Sequence, residues 1–125
     1  MLSLPGKTRV FLCTQPTDMR KSFDGLMGLV ETILDQDPLS GHLFLFINRR
    51  RDRLKAMWWD HDGLAIFYKR LERGTWQMPT ADEAAGGLEV DADQLALMLR
   101  GIDLTSARKR RRYQRPSVPT ISRNS

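Results

Sequence analysis

Residues 42–47 read His-Leu-Phe-Leu-Phe-Ile, an almost unbroken apolar run that follows a Ser40-Gly41 turn. A strand of that pattern has no polar side to offer water, so it is expected at the centre of a sheet covered on both faces. The rest of the chain must supply the covering layers. At 125 residues and 41% hydrophobic content, it suits one domain with a core of ordinary size.

Val10 to Thr14 is rich in strand formers and is stopped by Gln15-Pro16, because proline cannot continue a ladder and restricts the residue before it. Thr17 then reads as a helix N-cap, with Asp18 favourable at the positive end of the helix dipole. Met19, Phe23, Leu26, Val30, Ile33 and Leu34 recur at steps of three and four, predicting a helix to about Gln36, closed by Asp37-Pro38. Gly25 and Gly28 lie on nearly one side of it, as a close-approach surface or as plain local softness. Leu54 to Trp59 is the next strand, so Asn48-Arg49-Arg50-Arg51-Asp52-Arg53 becomes a hairpin tip and the two tryptophans fall on opposite faces. One of them belongs to the core, which leaves one to stack on a partner.

Leu64, Phe67, Tyr68 and Leu71 follow an i, i+3, i+4, i+7 pattern between Asp62 and Gly74, which predicts a second helix with Lys69, Arg70 and Arg73 on its polar side. Thr75 to Met78 and Leu88 to Val90 read as short strands around an Ala84-Ala85-Gly86-Gly87 link. Asp91 to Gln94 has capping-box spacing before a last helix through Leu95, Met98 and Ile102, stopped near Gly101. The expected fold is a small single α+β domain, a short mixed or antiparallel sheet packed with about three helices.

Charge divides the chain unevenly. Seven of its 20 basic residues fall in residues 107–125 with no acid, leaving 13 against all 15 acidic residues before them. The expected organisation is therefore a near-neutral domain over residues 1–106 and a basic, disordered tail over 107–125, where Pro116, Pro119 and several Ser and Thr offer little to anchor. Such a tail is either an electrostatic arm for nucleic acid or a solvated end. The arginine tip has the same two readings, a phosphate contact or a solvated turn guarding a sheet edge.

Catalytic constellations are sparse. Asp60-His61-Asp62 has the hard oxygens for a divalent ion, but aspartates between regular elements ordinarily form turns and caps. No phosphate-cradling glycine loop, nucleophile elbow or zinc spacing occurs, so neither an enzyme nor a cofactor or metal site is expected. Cys13 is the single cysteine, so no intrachain disulfide forms and a reducing cytoplasm is the default; in its apolar run it reads as a small core hydrophobe. The N-terminus lacks the order of a secretory signal, and no apolar stretch nears the roughly 20 residues of a membrane span.

Four ordered motifs carry a family likeness: Pro16-Thr17-Asp18-Met19-Arg20-Lys21-Ser22-Phe23-Asp24-Gly25-Leu26, Asp37-Pro38-Leu39-Ser40-Gly41-His42-Leu43-Phe44, Trp58-Trp59-Asp60 through Gly63, and Tyr68-Lys69-Arg70-Leu71-Glu72-Arg73-Gly74. Over roughly Val10 to Asp103 the chain resembles the TnpB, or Orf2-like, accessory proteins of bacterial insertion sequences of the sixty-six group. It departs from them mildly, with Ser22 where glycine is frequent and with the arginine-dense tip. The resemblance implies a factor auxiliary to transposition, working beside a separate transposase that carries the catalytic carboxylates.

Together these readings predict a non-catalytic, DNA-binding accessory subunit. Arg49, Arg50, Arg51, Arg53, Lys69, Arg70 and Arg73 are the candidate phosphate contacts, Trp59 or Trp58 the stacking group, and Arg108, Lys109, Arg110, Arg111 and Arg112 a nonspecific arm. The rivals are a module that docks on the transposase without touching DNA and, more remotely, a metal-dependent nuclease. The single-groove form of the DNA reading requires the tip, Lys69 and Arg73 to share one face.

Overall fold

In a computed structural model, which describes residues 7–78 and 86–100, the chain runs β1 (Val10–Cys13), α1 (Phe23–Thr32), β2 (Leu43–Ile47), β3 (Arg53–Asp60), β4 (Gly63–Arg70), β5 (Gly87–Val90) and α2 (Ala92–Arg100). The strands form one sheet of order β4-β3-β2-β1-β5. β1 and β2 pair in parallel across the α1 crossover, and every other pairing is antiparallel. As the apolar run requires, β2 is central and all five of its residues are buried.

Each face of the sheet has its own core. On one, Leu26, Val30 and Leu34 from α1 and the segment after it pack on Phe11, Cys13, Phe44, Phe46 and Met57. Leu26 and Val30 are fully buried, each contributing about 1.5–3 kcal/mol of transfer free energy. On the other, Leu95 and Met98 of α2 join Trp76 against Leu12, Leu45, Ile47, Leu54 and Ala56. Cys13 is buried and burial pushes its thiol pKa up, in keeping with a core hydrophobe. The capping box forms: Asp91 Oδ1 accepts from Gln94 N–H at 2.7 Å, and Gln94 Oε1 accepts from Asp91 N–H at 3.0 Å.

Several expectations are corrected. The segment after Asp62 is strand β4, not a helix, so two helices rather than three lie among the described residues. The reason is Leu64-Ala65-Ile66-Phe67-Tyr68, five consecutive apolar residues that put apolar side chains on both faces of a strand, where a helix would turn Ile66 toward water. A two-residue turn at His61-Asp62 sets the register, and eight residue pairs from Arg53↔Arg70 to Asp60↔Gly63 follow.

Helix α1 starts at Phe23, not after Thr17. Thr17 is instead buried, its N–H donating to the Ile47 carbonyl at 2.9 Å, which ties the preceding loop to the end of β2. The helix ends at Thr32, before Gln36, and Asp35 takes a left-handed φ of 53°. Thr75 to Met78 forms no strand, and Trp76 there is fully buried. A Cβ on Gly28 would meet nothing within 4 Å and one on Gly25 only the Lys21 side chain, so neither admits a close backbone. Close approach occurs at Gly86 and Gly87, where a Cβ would collide with Ile33 and Leu34 respectively. The proposed link is thus ordered at these two residues. Its alanines, the end of the last helix and the basic tail lie outside the described residues.

Candidate nucleic-acid interface

Asn48 builds the arginine tip. Its carbonyl accepts from Arg51 N–H at 3.0 Å and its N–H donates to the Arg53 carbonyl at 3.1 Å. Its side-chain Oδ1 accepts from both Asp52 N–H and Arg53 N–H at 3.0 Å, and its Nδ2 donates to Asp52 Oδ1 at 2.7 Å. Arg51 takes a left-handed φ of 61°, and its carbonyl accepts from Trp76 N–H at 2.8 Å. The tip is held from within by one asparagine and from behind by the Trp76 segment. Arg49, Arg50 and Arg51 stay exposed, and among the described residues no carboxylate pairs with them.

Strand register then sorts the candidates. Arg53 lies directly opposite Arg70 on the face that carries α1. Like charges opposed across an antiparallel pair repel. The side chains lean elsewhere, Arg53 Nη1 donating to the Tyr68 hydroxyl at 3.3 Å and Arg70 reaching Glu72 at 3.4 Å. The loop before α1 adds Arg20 to the same corner. With Asp18, Met19, Asn48, Arg50, Asp52, Arg53 and Tyr68 it lines an open cleft of about 390 Å³.

Asp18 orders that loop. Its Oδ1 accepts from Arg20 N–H at 2.9 Å, and the Arg20 guanidinium grips the carboxylate down to 2.8 Å. These bonds, led by the Arg20 side chain, lower the Asp18 pKa from 3.8 to about 2 and raise that of Arg20. The folded value lies below the unfolded one, so whatever stability the fork adds is complete above pH 3.8 and vanishes as pH falls through about 2. Following the Asp18 carboxyl by NMR should give a midpoint near 2. A midpoint at the ordinary carboxylate value would mean the fork does not form in solution.

Buried Lys55 underlies the cleft, its Nζ donating to the Lys21 carbonyl at 2.7 Å and lying 4.9 Å from the Tyr68 ring centroid. Sequence reasoning passed over Arg20, Asn48, Lys55 and Tyr68. An asparagine opening a tight turn was the available signal for Asn48. Nothing local marked Arg20, which reaches the tip only through the fold.

The remaining candidates separate. Lys69 is one residue from Arg70 in an extended strand, so it takes the opposite face, beside Leu54. Lys69 therefore does not share a face with Arg53 and Arg70, and the single groove that needed it there is not formed. Arg73 sits in the bend after β4. Trp58 packs against the core shared with Trp76. Trp59 is half-buried on the face of Arg53 but six residues along β3, about 20 Å away. Asp60, His61 and Asp62 form the hairpin turn, with His61 at φ 60° and Asp62 N–H donating to the Asp60 carbonyl. Arg108, Lys109, Arg110, Arg111 and Arg112 lie outside the described residues.

The family model described as IS66 Orf2 like protein matches residues 8–109. The chain belongs to the IS66 Orf2-like family. Two relatives from Sinorhizobium fredii (strain NBRC 101917 / NGR234) align over most of the Orf2-like chain. Uncharacterized protein y4jC is 35% identical over 109 residues, covering 87% of this chain and 91% of its own. Uncharacterized protein y4hO is 39% identical over 103 residues, covering 82% and 88%. No solved structure matches. Membership implies an accessory role in transposition by an IS66 element. No helix among the described residues of the Orf2-like protein is long and apolar enough to cross a membrane.

Proposed function

We propose that this Orf2-like protein is a non-catalytic accessory factor that holds DNA phosphates at the arginine corner of its sheet, beside the transposase of its element. One observation carries the reading. Arg20, Arg50 and Arg53 line one open cleft, and Arg70 stands opposite Arg53 across the strand pair. An anion between them would relieve the repulsion, and arginine's planar fork suits phosphate oxygens. The hairpin turn occupies Asp60 and Asp62, which argues against the nuclease reading. In this reading residues 1–106 are the folded domain and residues 107–125 a cationic arm that adds sequence-independent affinity.

Titration of terminal-repeat DNA and of unrelated DNA at two ionic strengths tests it. Binding should weaken as salt rises, with log K falling by about 0.9 per phosphate contacted for each decade of salt. No binding to either DNA at low salt sinks the proposal. The competing reading, a module docking on the transposase, draws on the acidic balance of residues 1–106. Co-purification with the transposase that survives nuclease and high salt would favour it.

A further inference from the structure

The two edges of the sheet are built differently. β5 is four residues long, and a short edge offers little to pair with. β4 has eight residues, contains no proline and carries its charges, Lys69 and Arg70, at one end only, with Leu64 to Tyr68 apolar before them. Among the described residues nothing pairs with its outer side. Leu71 N–H points toward the β3 side, to the Asp52 carbonyl at 2.8 Å, so by the period of two Gly63, Ala65, Phe67 and Lys69 direct their backbone groups inward as well. Leu64, Ile66, Tyr68 and Arg70 are left with outward N–H and C=O groups, and their side chains share the face that carries α1.

We propose that this edge pairs with the same edge of a second copy, antiparallel about a two-fold axis at Ile66, joining two sheets into one of ten strands. The pattern along β4 is self-complementary. With Ile66 on the axis, Ile66 meets Ile66, Leu64 meets Tyr68, and Asp62 falls opposite Arg70. Tyr68, 47% exposed in the single chain, gains an apolar neighbour. Shifting the register by two residues one way sets Asp62 against Glu72, and the other way sets it against Tyr68. Arg70 holds Glu72 only at 3.4 Å with both side chains more than half exposed, so that pair yields to or shares with the incoming Asp62. Each copy's α1 face lies on the same side of the joined sheet. The two Arg70 residues then stand eight residues apart along the strands, about 26 Å.

Sedimentation equilibrium of the full chain over roughly 1 μM to 1 mM tests the pairing. A reversible dimer is expected. Asp62→Arg or Arg70→Asp alone sets like charges together at two symmetry-related points and should weaken the dimer about ten-fold or more, whereas the two changes together should restore it to within about three-fold. Thermal melts of the same variants verify that the fold is intact. A chain that stays monomeric throughout the range overturns the proposal, and so does a dimer indifferent to both reversals. The test needs no DNA and reads association alone; Arg70 is common to this proposal and the phosphate reading, so Asp62→Arg is the variant that separates them.

Discussion

Trp76→Ala should remove about 3–5 kcal/mol of stability, the upper range for truncating a buried side chain. The ring is fully buried in the layer between the sheet and α2, among Leu12, Leu54, Ala56, Leu95 and Met98. It enters that layer from an irregular segment whose backbone is pinned by Leu71 N–H on Asp52 and Trp76 N–H on Arg51, both at 2.8 Å. A segment fastened at two points cannot collapse freely into the space a missing indole leaves, so most of the cavity persists. Domains of this size have about 5–15 kcal/mol in total, so the variant sits near the edge of folding. Urea unfolding followed by circular dichroism measures it as a fall in midpoint at unchanged slope. A loss under about 1 kcal/mol would show that the ring is not in the core. Because the Arg51 carbonyl is one anchor of this segment, the same variant should also loosen the arginine tip.

Trp76 also shows why part of the fold escapes a reading of the sequence. Periodicity finds side chains that are buried by regular elements. It is silent about one buried by an irregular segment, and Thr75 to Met78 looks like any short strand. The β4 error has a different cause. The unbroken apolar signature that identifies β2 as central recurs at Leu64 to Tyr68, but Leu64, Phe67, Tyr68 and Leu71 also fit helical spacing, and a capping aspartate and a terminal glycine tipped the balance. The hairpin does carry an Asp-Gly cue at Asp62-Gly63, but that pair straddles the end of the turn, because Gly63 is already the first residue of β4. The two turn residues are His61 and Asp62, and the left-handed one is the histidine, so the same aspartate and its neighbours also read as a helix start. Where signals were local and chemical, as in the Asp91-Gln94 box and the Asn48–Arg53 tip, they were legible. The cleft was half legible: the tip could be read from four arginines, whereas Arg20 and Tyr68 join it through a loop tied to Ile47 and a strand pairing, both long-range consequences of the fold.

The second large effect separates charge from placement at that cleft. Replacing Arg50 and Arg53 together by alanine should reduce the salt slope of DNA binding by about 2 and weaken binding roughly 30-fold near 0.15 M salt, if each contacts one phosphate. Asn48→Ala removes no charge. It deletes the side-chain bonds to the Asp52 and Arg53 amides and to the Asp52 carboxylate, at a stability cost of about 1–2 kcal/mol. The arginines would then spread over more orientations, and the entropy of ordering them would fall on the binding step. Binding should weaken severalfold with the slope nearly unchanged, because the same counterions are released once contact is made. A slope unmoved by the double arginine change would transfer the phosphate contacts to the basic tail. Neutralising Arg108, Lys109, Arg110, Arg111 and Arg112 should then abolish binding to every sequence alike, whereas with the corner engaged it should lower affinity and slope while leaving the effect of Asn48→Ala intact.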